Sequence, residues 1–161
     1  MRRNHLYNSN SNPDTSVPEV RFMTKKQQTD IILVTDGASR GNPGPAARAY
    51  LIYVNGVLKK QSARYLGVAT NNVAEYTAIL EGLLEAIAMQ PDSFTIISDS
   101  ELVVRQLQGR YQVRNATLKE LHGRVMKNLH VLPSWTACHT SRENLHIQKA
   151  DALCNEVLDK R

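Results

Sequence analysis

Four acids in this sequence occupy places that solubility alone does not explain: Asp36, Glu75, Asp99 and Asp151. Asp36 closes the apolar run IILVT and opens a loop, GASRGNPGP, rich in glycine and proline. A turn role is its ordinary alternative. Glu75 follows Asn72 by three positions, an N-x-x-E spacing that helix capping also explains. The two readings are compatible, because a cap fixes where a carboxylate points. Asp99 follows FTIIS and could cap the next helix, although Ser100 beside it can do that instead. Asp151 falls on a stripe with Ile147, Cys154 and Leu158 that is otherwise apolar and holds no Lys or Arg. A carboxylate turned toward the protein body without a partner costs several kcal/mol.

One arrangement accounts for all four. Crowded together, the acids repel one another unless divalent cations lie between them. Oxygen ligands without His or Cys in the set favour Mg²⁺ or Mn²⁺ over zinc. Two such ions held about 4 Å apart by carboxylates are the apparatus of phosphodiester hydrolysis, one activating the attacking water and the other steadying the leaving oxygen.

The elements that must position these acids are legible from periodicity. IILVT predicts a strand buried on both faces, and Asn55-Gly56 joins two further strands in a hairpin across residues 47–67. Apolar residues at Val73, Tyr76, Leu80, Leu83 and Ile87 predict a helix to Met89, stopped by Pro91. FTIIS is a fourth strand, followed by a short helix from Glu101 to Gln108. Thr117 and Glu120 form a capping box for a helix through His130. VLPSWTAC is a fifth strand, and residues 148–160 a last helix. The order β-β-β-α-β-α-α-β-α predicts an α/β fold: a five-stranded mixed sheet flanked by helices on both faces. Ligands of such sheets sit beyond the carboxyl ends of the parallel strands, where Asp36 and Asp99 fall.

The 161 residues suit one catalytic domain over residues 30–161. Residues 1–29, rich in Asn, Ser, Thr, Gln and Pro without periodicity, read as a disordered N-terminal extension. No apolar run approaches the ~20 residues that span a bilayer, and the N-terminus lacks a secretory h-region. Two cysteines are too few for a disulfide framework, which fits a reducing, cytoplasmic setting. The net charge is +5, and residues 31–161 hold 15 Lys or Arg against 12 Asp or Glu. With four acids committed to a site, the remaining surface is basic and suits a polyanion.

TDGASRGNPG, TNNVAEYTAILEGL, ISDSELVV and ADALCNEVLD resemble, in order and spacing, the four motifs of type 1 ribonuclease H. The resemblance covers about residues 31–161. It implies the ribonuclease H-like fold and endonucleolytic hydrolysis of the RNA strand of RNA–DNA hybrids, leaving 3′-hydroxyl and 5′-phosphate ends. By motif position, Asp36, Glu75, Asp99 and Asp151 are its metal-binding catalytic acids. Asn42, Thr70 and Asn72 resemble its contacts to the hybrid's backbone. A monomer without an obligate protein partner is expected.

Two departures from the family pattern stand out. GRYQVRNATLKELHGRVMKNLH lacks the Trp and dense Lys of the basic protrusion that some members carry, so the chain resembles members without it. Arg105, Arg110, Arg114 and Lys119 are candidates for a partial substitute, with a solvated helix surface as the alternative. In the loop HTSRENLHIQKAD, His139, Arg142 and His146 compete for an auxiliary role near the last acid. Four other readings compete: an exonuclease or retroelement-derived nuclease of the same fold, a hybrid-binding module that has lost catalysis, a nucleotide loop at Gly41–Gly44, and a zinc site from Cys138, His139, His146 and Cys154. The nucleotide loop fails because no G-K-[ST] follows it. The zinc spacing fits no common template.

Overall fold

The computed structural model describes residues 24–161. For residues 1–23 the expected N-terminal extension lies outside the described residues. Thr29 already belongs to the fold: its amide donates to Asp92 Oδ2 at 2.8 Å, and its carbonyl accepts from the Asp92 amide at 2.8 Å. Among the described residues the strands are β1 (Asp30–Ser39), β2 (Gly44–Val54), β3 (Val57–Ala69), β4 (Ser93–Ser98) and β5 (Trp135–His139). The helices are α1 (Asn71–Ile87), α2 (Glu101–Leu107), α3 (Ala116–Leu129) and α4 (Leu145–Asp159). The strands form one sheet in the order β3-β2-β1-β4-β5. β1, β2 and β3 run as an antiparallel meander, and β4 and β5 join parallel to β1. The mixed sheet and its element order agree with the sequence pattern.

Two apolar layers hold the sheet. On one face Leu33, Ile52, Phe94 and Ile96 pack against Ile79 and Leu83 of α1, Val104 of α2 and Leu129 of α3. On the other, Val34, Ala47, Ala49 and Leu51 pack against Ile147, Ala150, Cys154 and Leu158 of α4. β1 is therefore buried on both faces, as its near-continuous apolar run requires. Asn55 and Gly56 take φ of 49° and 81° at the hairpin tip, the left-handed backbone that an Asn-Gly turn supplies.

Several boundaries move, each for a hydrogen-bonding reason. Asp36 does not close β1: the strand continues to Ser39, because β2 pairs with it as far as Ser39↔Ala46. The parallel pairing to β4 ends earlier, at Val34↔Ile97. Asp36 thus lies inside a strand yet just past the point where β4 leaves it. α1 is capped by Thr70, whose Oγ1 accepts from the Val73 amide at 3.2 Å, so Asn72 is inside the helix rather than its cap. α3 is capped by Asn115 through the Leu118 amide at 3.1 Å, not by Thr117. α4 begins at Leu145, before the expected Gln148, because Asn144 accepts from the His146 and Ile147 amides. β5 starts at Trp135, opposite Phe94 and beyond Pro133, which has no amide to donate.

Candidate metal centre

β1 and β4 diverge beyond Val34 and Ile97, and the acids collect there. Asp36 is 5% exposed and Glu75 3%. Asp36, Glu75 and Asp99 each present an oxygen within 4.8 Å of the other two. A cleft of about 260 Å³ holds them, lined also by Asn71, Arg142, Ile147 and Asp151.

Each acid reaches the cleft by a local device. α1 lies directly on β1 at Gly37, where a Cβ would sit 2.3 Å from the Ala74 carbonyl carbon and the Glu75 amide nitrogen. Only glycine permits that approach, and the approach brings Glu75 to Asp36. Ser100 caps α2, its Oγ accepting from the Val103 amide at 3.4 Å, so Asp99 has no capping duty. On α4 the thiol of Cys154 donates toward the main-chain oxygens of Asp36 and Ala47 at 3.6 and 3.7 Å. That contact seats the helix across β1 and β2.

Asp151 differs from its expected burial. The buried stripe of α4 is Ile147, Ala150, Cys154 and Leu158, and Asp151 is exposed on the stripe's rim. A helix repeat of 3.6 residues puts position i+3 nearer the stripe's centre than i+4 when the helix is rolled by the Cys154 contact. One Asp151 oxygen accepts from Asn155 Nδ2 at 3.1 Å. The residue forms a wall of the cleft rather than part of its floor.

The floor is electrostatically strained. Burial, then the charges of Asp99 and Asp151, push the Asp36 carboxyl up to about 7 from 3.8, against the Gly37 amide and Arg142. Burial, then Asp36 and Asp99, hold the Glu75 carboxyl well above its ordinary 4.5. Asp36 Oδ2 and Glu75 Oε2 are buried and have no hydrogen-bond partner among the described residues. Native proteins leave few such atoms, and an unpaired buried carboxylate costs several kcal/mol. Orphaned oxygens converging with a third carboxylate, and no soft ligand among them, fit a hard divalent cation.

The auxiliary candidates separate. Arg142 lines the cleft with its Nε 3.2 Å from Asp99 Oδ2, its side chain 87% exposed and that of Asp99 10%. The His139 ring meets the main chain of Asp99, Nε2 to carbonyl oxygen at 3.2 Å, rather than its carboxylate. His146 is engaged elsewhere, Nδ1 lying 2.7 Å from the Tyr53 hydroxyl with the two rings edge to face. The zinc grouping does not assemble: Cys154 is buried against Asp36, Cys138 is exposed, and His146 is held by Tyr53.

Asn42, Thr70 and Asn72 do come together. With Val73, Asn115, Thr117 and Leu118 they line a second groove of about 330 Å³. Asn42 Oδ1 accepts from the Asn71 amide at 3.1 Å, which ties the glycine loop to the start of α1. Sequence reasoning missed Asn71 in the cleft and Asn115 in the groove. Asn115 was findable, since Asn ranks among the best N-caps and precedes a helical run.

Comparison with known proteins agrees with this geometry. A family model described as RNase H matches residues 28–158. Ribonuclease HI of Halobacterium salinarum is 38% identical over 125 residues, 77% of this chain and 62% of that protein. The chain therefore spans less than two thirds of that relative's length. The crystal structure of RNase H1 from Halobacterium salinarum NRC-1 superposes with a TM-score of 0.76 at 34% identity, covering 82% of this chain and 99% of that one. LC11-RNase H1, solved in complex with an RNA/DNA hybrid, superposes with a TM-score of 0.73 at 39% identity, covering 81% and 97%. Fold, acid cluster and family match agree, and the chain belongs to the RNase H family.

Proposed function

We propose that this protein is an endonuclease that hydrolyses the RNA strand of RNA–DNA hybrids, leaving 3′-hydroxyl and 5′-phosphate ends. The observation that carries the reading is the pair of orphaned oxygens, Asp36 Oδ2 and Glu75 Oε2, converging with Asp99. Asp36, Glu75, Asp99 and Asp151 would hold Mg²⁺, with Mn²⁺ as the alternative. When bound, two such ions supply the Lewis acidity and the activated water of phosphodiester hydrolysis. The family match and the hybrid bound to LC11-RNase H1 support the substrate class.

The chain's own groups account for binding and orientation. Thr70 Oγ1 accepts from Val73, so its hydroxyl hydrogen remains free to donate to a phosphate oxygen. Asn42 spends its carbonyl oxygen on Asn71, which leaves its amide hydrogens for the substrate. Asn72 lies on the same groove wall. Neutral donors of this kind grip a backbone without reading bases, and 2′-hydroxyl contacts distinguish RNA from DNA. Arg142 stands at the cleft mouth, where a guanidinium can steady a phosphate and assist its departure. His139 and His146 are second to it in that role. No helix among the described residues is long and apolar enough to cross a membrane. A cytoplasmic monomer with no obligate protein partner completes the reading.

The test is cleavage of a labelled hybrid with Mg²⁺, with Mn²⁺ and with chelator, beside duplex RNA, duplex DNA and an Asp36→Asn variant. Metal-dependent cutting confined to the hybrid's RNA strand and lost in the variant is the expected result. Salt-sensitive binding without cutting under either metal would leave a binding module and overturn the proposal.

A further inference from the structure

A buried polar assembly between α1, α2 and the segment leading to α3 takes no part in the acid cluster. Its centre is Gln106 on α2, 5% exposed. The carboxamide is engaged at both ends: Oε1 accepts from the Tyr76 hydroxyl at 2.7 Å, and Nε2 donates to the main-chain oxygen of Gln112 at 3.2 Å. His122 Nε2 lies 3.2 Å from the Gln106 carbonyl oxygen, and its ring meets Tyr76 edge to face. Tyr76 is fully buried.

The two ends of that carboxamide lead to different parts of the molecule. Tyr76 directly follows Glu75, whose orphaned carboxylate belongs to the cleft. Gln112 lies three residues before Asn115, which caps α3 and lines the groove with Asn42, Thr70 and Asn72. Earlier residues of the connecting segment are bonded to the C-terminal end of α2: the amides of Arg110 and Tyr111 both donate to the Arg105 carbonyl. The Gln106 side chain adds a bond farther along, at Gln112, beside Val113, which packs on the core.

We propose, on the hybrid-cleaving reading above, that Gln106 is a positioning residue that fixes the Asn115 wall of the substrate groove at a set distance from the catalytic acids. A duplex has a defined width between its backbones. An enzyme that holds one strand in a groove and cuts the other needs that spacing held constant. A carboxamide spans the gap with one acceptor and one donor, and burial makes a broken end costly enough to keep both ends closed. Gln106 touches neither substrate nor acids; it acts through Asn115.

The experiment compares Gln106→Leu, Gln106→Glu, Tyr76→Phe, Asn115→Ala and the Gln106→Leu/Asn115→Ala pair, in the full chain, by steady-state hybrid cleavage and amide hydrogen exchange. Gln106→Leu is expected to raise KM roughly tenfold with kcat nearly unchanged. It should speed exchange over residues 112–115 and leave β1 and β4 protected. Gln106→Glu keeps the Tyr76 acceptor but sets a carboxylate against the Gln112 carbonyl, so it should match Gln106→Leu. Tyr76→Phe spares the Gln112 bond and should do less. On KM, the double variant should be little worse than the worse single, because both changes act through one wall. A fall in kcat at constant KM, additive effects, or unchanged exchange at 112–115 would each overturn the assignment. If Gln106→Leu does not fold, Gln106→Glu and Tyr76→Phe decide the point by their order. A wild type that cuts no hybrid would refute the functional reading. The exchange data would then still decide whether Gln106 holds the segment, and unchanged exchange would refute that.

Discussion

Gly37 of β1 and Glu75 of α1 stand closer than a methyl group allows: a Cβ on Gly37 would lie 2.3 Å from the Glu75 amide nitrogen. The neighbouring atoms are main chain, so no rotamer change relieves the clash. Gly37→Ala must therefore push α1 off β1. Overpacking of this kind costs about 1–3 kcal/mol. Glu75 moves away from Asp36 as well, and a misplacement of about 1 Å costs about 100-fold in rate. Urea unfolding together with hybrid turnover checks both figures. A variant with wild-type stability and rate would show that the contact is slack.

The raised carboxyls make metal-free stability fall as pH rises. The Asp36 carboxyl is moved from 3.8 up to about 7, so between those values the folded protein holds a proton that the unfolded chain has released. Stability then declines with pH through that window and levels off above it. The direction for Glu75 is the same. Asp36→Asn removes one charge from the cluster and should flatten the slope, raising stability in chelator at pH 8 by a few kcal/mol while abolishing turnover. Added Mg²⁺ should stabilise the wild type at pH 8 and do far less for the variant. Urea melts in chelator across pH 5 to 8.5 give the slope. Wild-type stability that rises with pH in chelator would refute the account.

How far this was legible in the sequence depended on what each signal rests on. The element order along the chain followed from apolar periodicity and one Asn-Gly turn, which are local. Asp99 was legible because Ser100 next to it could take the cap. Asp151 was misplaced because a stripe read at i and i+4 cannot show how a helix is rolled. That roll follows from Cys154 meeting β1 and β2, residues more than 100 positions away. The caps at Thr70, Asn115 and Asn144 were missed because two or three capping residues adjoin each helix start, and tertiary contacts choose among them. The contact of His146 with Tyr53, from a strand 93 positions away, is of the same non-local kind.

Arg142 binds Asp99 from the solvent side, and its positive charge lowers both Asp36 and Glu75 against the burial that raises them. Exposed pairs contribute little to stability, about 0–1 kcal/mol. Arg142→Ala should therefore unfold at nearly the wild-type urea concentration. It also removes a cation that competes with metal for the same carboxylates, so Mg²⁺ should bind somewhat tighter in titration calorimetry. Turnover should nonetheless fall, because the guanidinium at the cleft mouth is gone. Weaker Mg²⁺ binding would mean that Arg142 shapes the acids rather than competing for them.

Thr29 marks where the fold begins to depend on the chain before β1. Its amide satisfies Asp92 Oδ2, and its carbonyl accepts from the amides of Asp92 and Ser93 at 2.8 and 3.3 Å. Deleting residues 1–23 leaves all three contacts and should change neither stability nor turnover. Deleting residues 1–29 strands those partners beside the first pair of β1 and β4, Asp30↔Ser93. Unmet polar groups there should cost about 1–3 kcal/mol. The loss should appear in the urea midpoint first, because the acids lie at the opposite end of β1. Turnover lost already in the shorter deletion would instead assign residues 1–23 a part in function.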